Sequence, residues 1–245
     1  MREGTGCRPV FYLFFIFQQK REEIGMPVLK TSNFGNPYIG LFAKSSERLV
    51  AADISASPKF LLALEKLEVP IVKTGFGGSG LAGIFLALNS NGAIVPSFCS
   101  DDEMLPFKKL GMNVLRLGGQ FSAAGNNIAA NDFGAVANPE MPRPLIKKVS
   151  DCLGVEAVPI RIANFTTTGS CVLATNKGFM AHNRANEQEL KELHSILGVE
   201  GTNCTVNMGV PFVAICAIAN SRCALLGEAS TGFELGRAES ALSLG

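Results

Sequence analysis

The residues of this chain best suited to chemistry are its cysteines and its two histidines, His182 and His194. A nucleophilic cysteine requires a neighbouring base and surroundings that lower the thiol pKa. Most of the cysteines lie in apolar runs, their number is odd and no CxxC pair occurs, so we expect free, buried thiols in a reducing compartment. Catalysis, a metal site and a cofactor are therefore not favoured. The seven cysteines are Cys7, Cys99, Cys152, Cys171, Cys204, Cys216 and Cys223.

Binding to phosphate groups is also disfavoured. The segment GFGGSG at 75–80 is glycine-rich, but it lacks the Gly-Lys-Ser/Thr ending of a phosphate-binding loop and leads into a predicted strand. The formal net charge is only +1, whereas a protein that grips nucleic acid mainly through phosphates needs a markedly basic face. We therefore expect much of the contact with any partner to be with protein.

The first 25 residues differ in composition from the rest. Residues 10–17 (VFYLFFIF) are an apolar run that is too short to span a bilayer, which takes about 20 residues, and no small-residue cleavage site follows. We expect 1–25 to be a disordered leader or the product of a start codon assigned too early. The chain is 47% hydrophobic and 18% charged, which predicts a globular protein, with 26–245 as a single domain.

Residues 26–245 contain five copies of a unit of about 44 residues. Lys30–Thr31 recurs as Lys73–Thr74, and a glycine, Gly40 or Gly83, follows each threonine by nine positions. The same glycine recurs at Gly125 and Gly169, with Ala214 in its place in the fifth copy. A turn lies nine residues further on and ends at Gly92, Gly134, Gly178 or Cys223, with Leu49 in its place in the first copy. A helical pattern then ends at Leu67, Leu110, Leu153, Leu197 and Leu244.

The sequence pattern predicts the same elements in each unit. A short strand (residues 70–73, or near Val206) precedes a loop and a strongly apolar strand, such as 81–88 or 210–219. An Asn/Gly turn follows, because these residues tolerate positive φ, and leads to a third strand such as 93–95. A helix ends the unit.

The helices carry start signals and one apolar stripe each. Ser57 precedes Pro58, and Asn186 and Thr231 each have a glutamate three residues later. One unit cannot bury both its sheet and its helix stripe, whereas five around an axis can, with few exposed strand edges. The sequence therefore predicts an α/β fold that is a closed five-fold pseudo-symmetric ring of ββαβ-type repeats. A four-stranded propeller blade has a similar period, but the capped helix in every unit argues against it.

Five strings in this order and spacing carry a resemblance to a known family. They are NPYIGLFA (36–43), NSNGAIVP (89–96), SAAGNNIAANDFGA (122–135), TTGSCVLATNKGFMAH (167–182) and TVNMGVPFVA (205–214). Together they resemble the archaeal and eukaryotic translation initiation factor 6 family, whose fold is called the pentein or α/β propeller. The resemblance covers 26–245, and the end at Gly245 is typical of archaeal members. Met208 departs from the pattern, since the family usually has a basic residue there.

The resemblance implies a non-enzymatic, cytoplasmic, monomeric factor without a cofactor or small-molecule substrate. Such a factor binds the large ribosomal subunit near ribosomal protein uL14 and the sarcin–ricin region, and it sterically prevents association with the small subunit. It also implies release late in subunit maturation by an elongation-factor-like GTPase.

The loops between the first and second strands of each unit are the predicted contact surface. They emerge on one face of a five-fold ring, are rich in glycine and carry almost no charge, which suits close approach by a partner backbone. Asn126 is the position most favoured for contact, with the alternative that it bonds only its own turn. The other candidates are Asn33, Asn36, Ser79, Ser122, Thr168, Asn207, Met208 and Gly209. Three asparagines that recur before the turns are predicted to be structural: Asn89, Asn131 and Asn220.

Two alternatives stay open on the sequence alone. The first is a pentein-fold hydrolase acting on a guanidino substrate, because ring folds of this kind include enzymes with a Cys–His pair. The second is a scaffold that binds a non-ribosomal protein through the same face.

Overall fold

The computed structural model describes residues 27–244, which form five three-stranded sheets of one design. In each sheet an inner strand pairs antiparallel with a middle strand. The middle strand then pairs in parallel with an outer strand. In four of the sheets a helix connects the middle strand to the outer strand of the same sheet, so the order is ββαβ, in agreement with the predicted repeat.

The elements within 27–244 follow the chain order. The strands are β1 (Val28–Thr31), β2 (Ala43–Ser45), β3 (Val50–Asp53), β4 (Ile71–Thr74), β5 (Ala87–Leu88), β6 (Gly92–Pro96), β7 (Asn113–Leu117), β8 (Ile128–Ala130), β9 (Ala135–Ala137), β10 (Ala157–Pro159), β11 (Val172–Ala174), β12 (Phe179–His182), β13 (Gly201–Cys204), β14 (Ala217–Ala219) and β15 (Ala224–Gly227). The α-helices are α1 (Pro58–Leu64), α2 (Ala82–Phe85), α3 (Asp101–Lys109), α4 (Ala124–Asn127), α5 (Arg143–Leu153), α6 (Thr168–Cys171), α7 (Glu187–Leu197), α8 (Val213–Cys216) and α9 (Gly232–Ala241). The 3-10 helices are Ile39–Leu41, Glu65–Leu67 and Gly119–Phe121.

The fifth sheet joins the two ends of the described chain. Its inner and middle strands, β14 and β15, come from the last unit, and its outer strand is β1 from the first. The hydrophobic cores show the same relation, because each lies between two successive units. One of them packs Ile39 and Phe60 of the first unit against Ile218 and Leu225 of the last.

The apolar runs predicted as single strands are divided in two. Residues 81–88 form the short helix α2 and then β5, and 210–219 form α8 and then β14, so the prediction of one long strand is wrong. The strand predicted near Val206 is also misplaced, because β13 ends at Cys204 and Val206 forms only an isolated bridge with Val210. These short helices contact one another in sequence, and α8 contacts the 3-10 helix Ile39–Leu41 of the first unit.

The recurring glycine makes these helix contacts possible. A Cβ atom on Gly83 would lie 2.0 Å from the carbonyl oxygen of Gly40. One on Gly125 would lie 2.1 Å from that of Gly83, and one on Gly169 would lie 2.5 Å from that of Gly125. Each glycine therefore lets its backbone touch the backbone of the preceding unit.

The structural role predicted for the three recurring asparagines is confirmed. Each donates from Nδ2 to a carbonyl at the C-terminal end of the next unit's helical segment, which in the first unit is the 3-10 helix after α1, where backbone acceptors lack an intrahelical donor. These bonds are Asn89 to Leu153 O at 2.9 Å, Asn131 to Leu197 O at 2.8 Å and Asn220 to Leu67 O at 2.7 Å. The last of them joins the fifth unit to the first.

The turn glycines have a different purpose from the one predicted. Gly92, Gly134 and Gly178 do not adopt positive φ, so that part of the prediction is wrong. A Cβ atom on Gly92 would lie 2.1 Å from Cys152 O, and one on Gly134 would lie 1.9 Å from Ile196 O. Glycine is needed there because the end of a helix lies directly against the turn.

The predicted helix starts are confirmed. The Ser57 side chain accepts from Phe60 N, and capping boxes join Asn186 to Glu189 and Thr231 to Glu234. A further capping box, of Ser100 with Glu103, begins α3.

Candidate functional site

The candidate site lies at the end of each sheet where its middle and outer strands finish. These two strands are parallel, so their ends lie side by side. The short helices of successive units contact one another near this end, and the hairpin turns bond one another at the opposite end, so all five units point the same way. We call this surface the loop face. It comprises the loops 32–38, 75–80, 118–126, 163–169 and 207–212, together with the links from the middle strands to the long helices.

Four of the five loops contain a tight turn with left-handed backbone at two successive residues. An isolated antiparallel bridge flanks each turn and fixes its shape. For residues other than glycine this conformation is uncommon and has to be held by surrounding contacts. The pairs with positive φ are Phe34–Gly35, Gly77–Gly78, Ala163–Asn164 and Asn207–Met208.

Three turns are held by glutamates that also cap the long helices. Glu103 accepts from Gly77 N at 2.8 Å, and Glu189 accepts from Ala163 N at 2.9 Å. Glu234 accepts from two turn residues, Met208 N at 3.1 Å and Gly209 N at 2.9 Å. One carboxylate therefore fixes both the start of a helix and the loop beside it.

Glu234 is the most enclosed of the three, with 4% of its surface exposed. Burial alone would raise the pKa of its carboxyl group, but hydrogen bonds from Thr231 N, Gly209 N, the Thr205 hydroxyl and Met208 N outweigh burial and lower the pKa. The charged form is thus the one that the folded chain stabilises.

We expect Glu234→Gln to lower the free energy of unfolding at pH 7 by about 2 kcal/mol, because an amide cannot accept all of these bonds. The folded pKa lies below the ordinary 4.5, so this stabilisation is present above that pH and is lost as the pH falls through the folded pKa. Urea unfolding at pH 7 and near pH 3 measures both effects, and the difference between variant and parent should shrink at the lower pH. Glu239→Gln, in the same helix, is the control. An equal loss in both variants would contradict this role.

The structure separates the predicted contact residues into exposed and buried ones. Met208 is 76% exposed at the tip of its turn, and Gly209 is also exposed. The half-exposed candidates are Asn36, Ser79, Ser122 and Asn126.

The buried candidates, Asn33, Asn207 and Thr168, position the loops instead of presenting a side chain. Asn33 accepts from Ser57 N at 3.0 Å, and Asn207 donates to Pro37 O at 2.9 Å, which links the fifth loop to the first. Thr168 donates its hydroxyl to Ile160 O at 2.7 Å.

Asn126 lies in α4, and its side chain bonds no atom among residues 27–244. The bond to the turn that sequence reasoning considered for it is made by its neighbour: Asn127 donates from Nδ2 to Ala123 O at 2.8 Å and accepts from Asn138. The amide of Asn126 is therefore available to a partner.

Sequence reasoning missed the exposed apolar side chains of the loop face. Phe34 is 75% exposed, and Phe233, which precedes the Glu234 that holds the Met208 turn, is 78% exposed. An aromatic residue within SNFGNP, a turn sequence, is the signal that could have identified Phe34. The others on this face are Tyr38, Ile54, Phe98 and Phe165.

The cysteine and histidine side chains are arranged for packing. Burial raises the pKa of every cysteine thiol within 27–244, to about 12 for Cys171 and Cys216, the reverse of what a nucleophile needs. Cys7 lies outside the described residues. His182 is buried against the rings of Phe165 and Phe212, and burial lowers its pKa. His194 is exposed on α7.

No helix within 27–244 has the length and apolar character that a bilayer-spanning helix requires.

Comparison with known proteins identifies the family. Residues 28–241 match the model of the eIF-6 family. The chain is 35% identical over 226 residues to Translation initiation factor 6 of Staphylothermus marinus, covering 90% of this chain and 99% of that protein.

Two further archaeal proteins agree. Translation initiation factor 6 of Haloquadratum walsbyi is 34% identical over 218 residues, with 88% of this chain and 96% of that protein covered. The protein of the same name from Picrophilus torridus is 33% identical over 217 residues, with 88% and 100% covered. The resemblance carried by the five strings is therefore confirmed, and the chain belongs to the eIF-6 family.

Proposed function

We propose that this protein is a cytoplasmic translation initiation factor that binds the large ribosomal subunit through the loop face. Bound there, it sterically prevents association with the small subunit. The observation that carries the proposal is the loop face itself, where left-handed turns held by helix-capping glutamates present exposed apolar side chains and an asparagine amide that has no partner within 27–244.

Family membership and the cysteine thiols also support this function. Membership of the eIF-6 family supports a translation initiation role, and relatives that align along nearly their whole length carry that name. Steric exclusion needs no reaction, and the raised thiol pKa values disfavour the Cys–His hydrolase alternative. We infer that 27–244 act as one monomeric domain, a closed five-fold ring of the pentein type.

The partners in this proposal are ribosomal protein uL14 and the sarcin–ricin region, with a GTPase for release. Met208, Gly209, Asn36, Ser79, Ser122 and Asn126 would contact the subunit directly. Asn33, Thr168 and Asn207 would act by fixing loop shape, since their side chains bond the protein's own backbone.

Cosedimentation with separated archaeal ribosomal subunits tests the proposal. We expect binding to the large subunit alone and fewer joined ribosomes. Because apolar and main-chain contacts dominate the loop face, binding should weaken only gradually with salt. Absence of the folded protein from the large-subunit fraction would overturn the proposal.

Within that assay we expect Asn126→Ala to weaken large-subunit binding roughly 5- to 30-fold, or about 1–2 kcal/mol, because a partner group would lose its hydrogen bond. The folded chain should lose little stability, since this side chain bonds nothing else within 27–244. Lys177→Ala, at an exposed turn on the opposite end, is the matched control. Unchanged binding by Asn126→Ala would place that residue outside the contact.

A further inference from the structure

A pocket of about 230 Å³ lies beside the fifth loop, between the first half of α9 and the end of β13. Among the residues that line it, only Glu234 and Arg237 are charged. Phe233, Asn203 and Thr205 also line it. The pocket adjoins the turn of Met208, because Glu234 holds that turn by two backbone hydrogen bonds.

Both carboxylate oxygens of Glu234, the acidic residue of the pocket, already accept hydrogen bonds from the chain. Oε1 of Glu234 accepts from Gly209 N and the Thr205 hydroxyl, both at 2.9 Å. Oε2 accepts from Met208 N at 3.1 Å and from Thr231 N at 2.8 Å. The Thr231 hydroxyl also donates to Oε2, at 3.1 Å, so the negative charge is spread over five donors of the chain and is not directed at a ligand.

The basic residue has unused donors. Nη2 of Arg237 donates to Asn203 O at 2.7 Å, and weaker contacts of 3.3 Å reach Asn203 Oδ1 and Thr202 Oγ1. Its Nε and Nη1 groups donate to no oxygen or nitrogen atom within 27–244, and no carboxylate of those residues lies within 4 Å of it. Burial raises the pKa of the Cys204 thiol and the neighbouring guanidinium opposes that rise, so the sulfur, a weak acceptor, lies beside Arg237. The guanidinium is thus anchored by one nitrogen, while its other donors have no oxygen or charged partner in the described chain.

We propose that this pocket binds a carboxylate side chain of a protein partner, with the guanidinium of Arg237 as its counter-ion. Charge complementarity argues for an acidic group, because a fixed guanidinium without a counter-ion matches a carboxylate in both charge and geometry. The proposal rests on the proposed function, in which the loop face docks on the ribosome.

The surroundings favour protein over RNA as the source of that acid. Phe233, which lines the pocket, and Met208, in the adjoining turn, are both more than three-quarters exposed and offer apolar surface suited to side chains that flank an acidic residue. A nucleic-acid backbone presents successive phosphates and is met by several cations together, whereas Arg237 is the single cation among the residues that line this pocket.

Subunit binding by variants of the full chain gives the first test. We expect Arg237→Gln to bind the large subunit at least about 10-fold more weakly than the parent, because the partner acid would lose its counter-ion. Arg222→Gln removes an exposed arginine from the opposite end and should bind like the parent. Parent binding with an unchanged Arg237→Gln would overturn the pocket proposal and leave the proposed function standing.

A titration of the parent chain tests the pocket separately from the ribosome and from folding of the variant. N-acetylglutamate amide and its uncharged glutamine analogue are added while backbone amide and arginine Nε–H resonances are recorded. We expect only the glutamate compound to move the signals of Arg237, Phe233 and Thr205. Equal shifts with both compounds, or shifts elsewhere, would overturn the proposal. A response to inorganic phosphate but not to the carboxylate would overturn it in favour of an RNA contact.

Discussion

We expect Gly125→Ala to lower the free energy of unfolding by about 3–5 kcal/mol. The added Cβ atom would lie 2.1 Å from the carbonyl oxygen of Gly83, 2.7 Å from that of Leu86 and 2.9 Å from that of Ile84. All three atoms are backbone, so no side chain can rotate away and α2 and α4 have to separate. Chemical denaturation monitored by circular dichroism measures the change.

Gly236→Ala provides the control for that experiment. Gly236 is exposed within α9, and a Cβ atom there would meet no atom within 4 Å. Alanine should therefore stabilise the chain by up to about 1 kcal/mol through its higher helix propensity. If Gly125→Ala were as stable as the parent, contact between the short helices would not be what requires glycine.

Asn131→Ala is expected to cost about 3 kcal/mol of folding free energy. Oδ1 of this buried side chain accepts from Phe133 N and Gly134 N, both at 3.0 Å. Nδ2 donates to Thr175 O at 3.0 Å and to Leu197 O at 2.8 Å. Truncation leaves these backbone groups unpaired in a buried site. Urea denaturation of parent and variant gives the difference.

Two substitutions at the same position separate the two functions of Asn131. Asn131→Asp keeps the acceptor but turns an oxygen towards two carbonyls, so it should destabilise at least as much as alanine. Asn131→Thr imitates the fourth unit, where Thr175 Oγ1 accepts from Lys177 N and Gly178 N at 3.2 Å without reaching a helix end. It should recover about half of the loss. Equal stability of all three variants would contradict the bridging role.

The features of the fold that could be predicted from sequence are those set by neighbours along the chain. Capping boxes such as Asn186 with Glu189 depend on residues three apart, and the repeat is visible because the same local chemistry recurs. The short helices could not be predicted, because a four-residue helix inside an apolar run such as 81–88 has no distinct periodicity. Gly83 has to be glycine because it contacts Gly40, 43 positions earlier. The repeat spacing showed that glycine recurs there, but local propensity could not explain why.

The candidate site was predictable in location but not in detail. The five loops were placed on one face and Asn126 was the most favoured position, yet the sequence did not reveal that Asn33, kept as a further contact candidate, is only 3% exposed and holds the start of α1. The left-handed backbone of Met208 depends on Glu234, 26 residues further along, so a local reading of the turn could not reveal it. The pocket at Arg237 likewise arises from residues that come together only in the fold.

The pairing of β1 with β15 also sets the order in which the chain can complete its folding. Val28 and Ala224, about 200 residues apart, lie opposite each other in the last sheet, and bringing such distant segments together carries a large loop-closure entropy. During synthesis β1 emerges early and has no partner strand until the fifth unit has left the ribosome. Until then the backbone groups of β1 that pair with β15 stay unpaired. A nascent chain that stops before residue 224 therefore cannot assemble its fifth sheet, however well its earlier units are packed.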